Sequence, residues 1–176
     1  EDWYNLGDKD FNDVKITVDL GTSGASFDNA HYETSSDVGS AIVTEGAGDD
    51  QIHGEAGDDT LYGEGGNDTI DGGADDDLIF AGDGNDSVIG GDGNDTIFYG
   101  AGNDTIEGGA GDDLIDDADK VILDGADVID AGDGNDTVYS GLGDDTIEGG
   151  AGADLIFGEG GDDSITGGSE NDSIYA

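Results

Sequence analysis

Hydrophobic positions along most of this chain follow neither the 3.6-residue rhythm of a helix nor an unbroken alternation. One aliphatic recurs every nine residues, flanked mostly by polar, aromatic or acidic neighbours, with a glycine-rich, acidic run between. Residues 90–107, "GGDGNDTIFYGAGNDTIE", hold two such units back to back. The three-residue tail around the aliphatic predicts a short strand, its middle side chain inward and its neighbours outward. The six-residue front predicts a turn, because glycine reaches the left-handed backbone conformations that a tight turn requires. One unit buries one aliphatic, so stability demands units stacked as successive coils.

The nine-residue register runs as eight units from Glu45 to Asp116, breaks at "DADKV" (residues 117–121), and resumes as six units from Ile122 to Tyr175. Position six is Asp in all fourteen units and position eight is Ile, Leu or Val in all fourteen. Position four is Gly except at Asp75 and Glu170, and position two is usually Gly, with Glu55, Glu64, Leu123 and Glu159 as exceptions. The aliphatic builds the only available core, and the Asp two residues earlier supplies a ligand at the turn. Because the break leaves odd and even units in alternation, it reads as a loop bulging from one turn.

Charge changes the picture most. Against 46 acidic residues stand three lysines, Lys9, Lys15 and Lys120, for a formal net charge of −43. Charge and low hydrophobicity alone would class the chain as disordered, since self-repulsion adds to the entropy of ordering. A large counter-charge must come from outside. Nucleic acid and anionic membrane surfaces need a basic patch that three scattered lysines do not make. With no Cys there are no disulfides and no thiolate sites, and hard oxygen ligands select Ca²⁺ or Mg²⁺ over Zn²⁺. No apolar run is long enough for a transmembrane helix, and no signal peptide is present. The chain reads as a segment of a longer protein whose targeting signals lie elsewhere.

The unit G-G-x-G-x-D-x-U-x, as in "GGDGNDTIF" and "GGAGDDLID", resembles the RTX family of calcium-binding nonapeptide repeats over about three quarters of the chain. The resemblance implies an all-β fold, a calcium-bound parallel β-roll or β-solenoid spanning 45–175. Two nonapeptides would make one coil, with Ca²⁺ between turns two units apart. Its implied ligands on one edge are Asp50, Asp68, Asp86, Asp104, Asp127, Asp145 and Asp163, and on the other Asp59, Asp77, Asp95, Asp113, Asp136, Asp154 and Asp172. Seven turns per edge leave room for about twelve ions, which would neutralise about 24 charges. Coils about 4.8 Å apart give a rod of roughly 30 to 35 Å.

Position nine points outward, and every second unit shares a face. Even units place Tyr62, Phe80, Phe98, Asp116, Tyr139, Phe157 and Tyr175 there; odd units place His53, Asp71, Ile89, Glu107, Asp130, Glu148 and Thr166. The aromatic column reads either as a ladder stabilising the sheet from outside or as a contact face for a neighbouring domain, a dimer or sugars.

The first 44 residues differ in kind. Val14, Ile16, Val18 and Leu20 alternate with polar residues as a strand, and the preceding loop sets Asp8, Asp10, Asn12 and Asp13 at a spacing that suits Ca²⁺, though not in EF-hand register. The alternative is a solvated acidic turn. "DKDFNDV" resembles a segment beside RTX repeats in large bacterial surface adhesins, which implies that residues 1–20 are the trailing strand of a preceding domain or a linker. Residues 21–44 then form an N-terminal cap or irregular first coil.

Catalysis finds little support. Ser26, Asp28 and His31 lie in a polar loop without a nucleophile elbow, there is no H-E-x-x-H, and the carboxylate pairs are turn residues by register. The family resemblance implies a calcium-dependent folding module, not an enzyme, in a secreted or cell-surface adhesin-like protein exported by a type I system. Recognition of carbohydrate or a partner surface through the aromatic face is the second reading. Ice binding ranks below both, because position three is never Thr.

Overall fold

The computed structural model describes residues 31–33, 40, 42–117 and 125–176. The acidic loop at Asp8, Asp10, Asn12 and Asp13, the strand over 14–20 and most of the inserted segment lie outside the described residues.

Among the described residues every regular element is a strand, and the strands form two parallel eight-stranded sheets. Odd-numbered strands build one sheet, including β3 (Gln51–His53), β5 (Thr69–Ala74), β7 (Ser87–Asp92) and β9 (Thr105–Ala110). Even-numbered strands build the other, including β4 (Thr60–Tyr62), β6 (Leu78–Asp83) and β8 (Thr96–Ala101). The chain therefore winds between sheets at every unit, which makes two nonapeptides one coil of a parallel β-solenoid.

Register within each sheet is set by the repeat. Thr60, Leu61 and Tyr62 pair with Leu78, Ile79 and Phe80, eighteen residues on. Across the insertion Ile106 pairs with Ile129, so the five extra residues leave the ladder intact on either side. Before the repeats, β1 (His31–Glu33) joins β3 and β2 (Ile42–Thr44) joins β4. Both sheets thus begin upstream of the nonapeptide register.

The interior is one column of position-eight side chains from Ile52 to Ile156, each at most 1% exposed. Ile165 packs against its end, while Ile174 in the last coil is 45% exposed. Burying one such side chain contributes about 1.5–3 kcal/mol, well below the cost of ordering the nine residues that supply it. The rest of the stabilisation must come from the ladders and from the turns.

The turns need glycine for two distinct reasons. Gly84 and Gly102 have φ of 154° and 146°, and a Cβ on Gly102 would stand 1.5 Å from the Gly84 carbonyl oxygen. Where the repeat departs from glycine the backbone still takes the left-handed conformation: Glu55, Glu64, Asp75, Glu159 and Glu170 have φ between 59° and 79°. Those five residues carry a conformational cost of about 1–2 kcal/mol each relative to glycine.

Candidate metal centres

Position-six aspartates stand in two columns, one at each edge of the solenoid. From Asp50 to Asp154 each is at most 5% exposed, whereas Asp163 and Asp172 are part-buried near the end of the stack. From Asp68 onward each carboxylate is tied to the coil before it. The Asp50 N–H donates to Asp68 Oδ1 at 2.9 Å, Asp59 to Asp77 at 2.8 Å, and Asp77 to Asp95 at 2.8 Å. The same bond spans the insertion, from the Asp104 N–H to Asp127 Oδ1 and from Asp113 to Asp136.

The second oxygen is different. In Asp68, Asp77, Asp86, Asp95, Asp104, Asp113, Asp136 and Asp154, Oδ2 is buried and accepts no hydrogen bond. Burying a carboxylate oxygen without a donor is expensive unless a cation or a proton compensates. In Asp68, Asp77, Asp95, Asp113 and Asp154 this oxygen lies against the bare Cα face of the position-one glycine of its own turn. A Cβ at Gly72 would stand 2.5 Å from both Asp77 Oδ2 and the Gly90 carbonyl oxygen, and one at Gly90 would stand 2.6 Å from Asp95 Oδ2 and 2.4 Å from the Gly108 oxygen. Glycine is needed here for room, because the cradle draws a carboxylate and a main-chain carbonyl together from adjacent coils.

Electrostatics confirm the strain of this arrangement. Burial raises Asp77 and Asp113 to about 7 and Asp104 to about 8; the N–H each accepts opposes the rise, and neighbouring carboxylates add to it. Asp68 and Asp136 are raised to about 6 for the same reasons. Near neutral pH Asp77, Asp113 and Asp104 therefore favour a proton or a cation.

An all-oxygen donor set of carboxylate and carbonyl suits a hard divalent cation and offers nothing to a soft one. Among the described residues no three His, Asp or Glu side chains gather as a cage of their own. The fit therefore rests on carboxylate paired with main-chain oxygen. A family model described as RTX calcium-binding nonapeptide repeat matches residues 46–79, 71–106, 100–116, 123–147 and 140–174. The chain belongs to the RTX calcium-binding repeat family. RTX nonapeptides bind Ca²⁺, and the RTX β-roll is a structural calcium-binding fold. No curated protein matches the chain.

Two features of this RTX roll escaped the sequence reading. Position five carries its own ladder, running opposite to that of position six. The Asn67 N–H donates to Asp49 Oδ1, Asn85 to Asn67 Oδ1, and Asn103 to Asn85 Oδ1, each at 2.8 Å. The signal was present, since position five is Asp or Asn in every unit except at Ala126 and Ala153. The other feature is Tyr99, fully buried at position one, whose hydroxyl donates to the Ser140 carbonyl at 3.0 Å.

The outward aromatics form two stacked runs. Ring centroids lie 4.9 Å apart in Tyr62–Phe80 and 5.1 Å in Phe80–Phe98, then 4.8 Å in Tyr139–Phe157 and 4.9 Å in Phe157–Tyr175. Asp116, paired in register between Phe98 and Tyr139, separates the runs.

Proposed function

We propose that this chain is a calcium-triggered folding module of a secreted or cell-surface bacterial protein of the adhesin type. The observation that carries the reading is the column of buried Oδ2 atoms without hydrogen donors, repeated at coil spacing along both edges. Asp77, Asp95 and their counterparts, with position-one carbonyls, would hold Ca²⁺, which supplies the charge that the sequence lacks. At low cytosolic Ca²⁺, self-repulsion among 46 acidic residues favours the extended chain, a state suited to export through a narrow type I conduit. Outside, extracellular modules bind Ca²⁺ at about 10⁻⁴–10⁻³ M. Binding free energy then becomes folding free energy. Twelve inter-turn gaps set the ceiling on the number of ions.

The role is architectural and not catalytic, with neighbouring domains of a longer protein as its partners. A surface-recognition role for Tyr62, Phe80, Phe98, Tyr139, Phe157 and Tyr175 has weaker support, because these rings already stack on one another.

The test is a Ca²⁺ titration of the chain followed by far-UV circular dichroism, with Mg²⁺ in parallel. A cooperative, Ca²⁺-selective coil-to-sheet transition near millimolar concentration is expected. Sheet that persists in chelator at pH ~8 would refute the folding switch.

A further inference from the structure

Position one is not the same residue in every turn. Of the twelve inter-turn gaps, six open onto a position-one glycine: Gly54, Gly63, Gly72, Gly90, Gly108 and Gly149. At each of these a Cβ would stand 2.3–2.7 Å from both the Asp Oδ2 of its own turn and the position-one carbonyl of the next coil on that edge. Two more gaps, at Glu45 and Asp117, carry a further carboxylate in that place. The remaining four are filled by neutral side chains, Ala81, Tyr99, Ala131 and Ser140, of which all four are fully buried.

At one filled gap, that of Ser140, and at the gap of Asp117, a hydroxyl takes up the facing carbonyl. Ser140 Oγ donates at 3.1 Å to the Gly158 carbonyl, the same oxygen that would face an open cradle had residue 140 been glycine. The Asp117 N–H bonds the Tyr139 carbonyl as the Ser140 N–H bonds that of Phe157, both at 3.0 Å, which puts Asp117 in the position-one column beside the insertion. There the facing carbonyl is that of Ser140, and it accepts the Tyr99 hydroxyl. Hydroxyl donors therefore take up carbonyl oxygens that glycine turns leave facing a carboxylate.

Resting on the calcium-binding reading, we propose that position one selects which turns take Ca²⁺, and that the turns of Ala81, Tyr99, Ala131 and Ser140 take none. Three of the four lie on one edge, around the insertion. That edge is held across the inserted loop by a buried Tyr99–Ser140–Gly158 relay, while the opposite edge carries ions almost throughout. The ladder holds at most eight ions (12 − 4), not twelve. A tyrosine and a serine suit the coils beside a loop because their hydrogen bonds tie those coils together without an ion.

Equilibrium dialysis of the full chain against radioactive calcium at saturation counts the ions, with circular dichroism confirming the fold. The wild type should bind eight or fewer. Ala131→Gly and Ser140→Gly should each bind one more, and Gly72→Ala one fewer. A wild-type count near twelve, or no gain in either glycine variant, overturns selection by position one while leaving the calcium module standing. An absence of bound calcium overturns both.

Discussion

The interior column and the edge columns of this solenoid obey opposite rules. Between Ile52 and Ile156 the position-eight side chains are buried, close-packed and complete without any partner from outside. Two residues earlier in each unit, the position-six carboxylates are buried as deeply but end in oxygens such as Asp77 Oδ2 and Asp95 Oδ2 that lack a donor. Under the proposed calcium switch, the aliphatics supply cohesion at any calcium level and the aspartates make it conditional, which would place the switch where the chain turns.

Acidification separates the two columns most strongly. Asp77, Asp113 and Asp104 sit near 7, 7 and 8 in the folded chain against 3.8 for the free side chain. Below pH ~4 both folded and unfolded states are protonated at these groups, and between about 4 and 8 the unfolded chain releases its protons first. Stability of the calcium-free fold is thus lost as pH rises through that window. In chelator, lowering the pH from 8 to 4 should restore sheet measured by circular dichroism. With Ca²⁺ present the trend should reverse, because protons compete for the ligands.

Cutting into the interior should be the next largest effect. Ile97→Ala in the middle of the column should cost about 2–5 kcal/mol in urea unfolding at saturating Ca²⁺, and more calcium should not rescue it. Asp77→Asn should do the converse: the midpoint calcium concentration for folding rises several-fold, and excess calcium recovers most of the sheet. If both variants responded alike to calcium, the division of labour between columns would be wrong.

Outside both columns the effects shrink. Phe80→Ala removes two stacked contacts, each worth about 0.5–1.5 kcal/mol, and should lower the thermal midpoint without moving the calcium midpoint. Glu64→Gly relieves a left-handed glutamate with φ of 73°. Unfolded-state entropy offsets part of the gain, so a stabilisation of up to about 1 kcal/mol is expected in the same urea assay.

Both columns were legible in the sequence, and the particulars of single turns were not. An unbroken nine-residue period places every Asp50-type and Ile52-type residue by arithmetic, and the pairing of Thr60 with Leu78 follows from two units per coil. The RTX family match then identifies the ion the turns bind. What could not be read was local to a few turns. Tyr99 meets Ser140 only because forty-one residues of chain wind back over it, and a repeat consensus treats both as departures from glycine. Asp49 and Asn67 looked like generic turn residues, since their ladder exists only once adjacent coils are in register.

The most direct test of calcium-conditional stacking is the radius of gyration of the chain by small-angle X-ray scattering in chelator and at several millimolar Ca²⁺. Contraction from roughly 44 Å, the scale of an unfolded chain of this length, toward roughly 16 Å for a compact one is the expected result. A compact radius in both solutions would contradict the claim that the edges make the fold conditional.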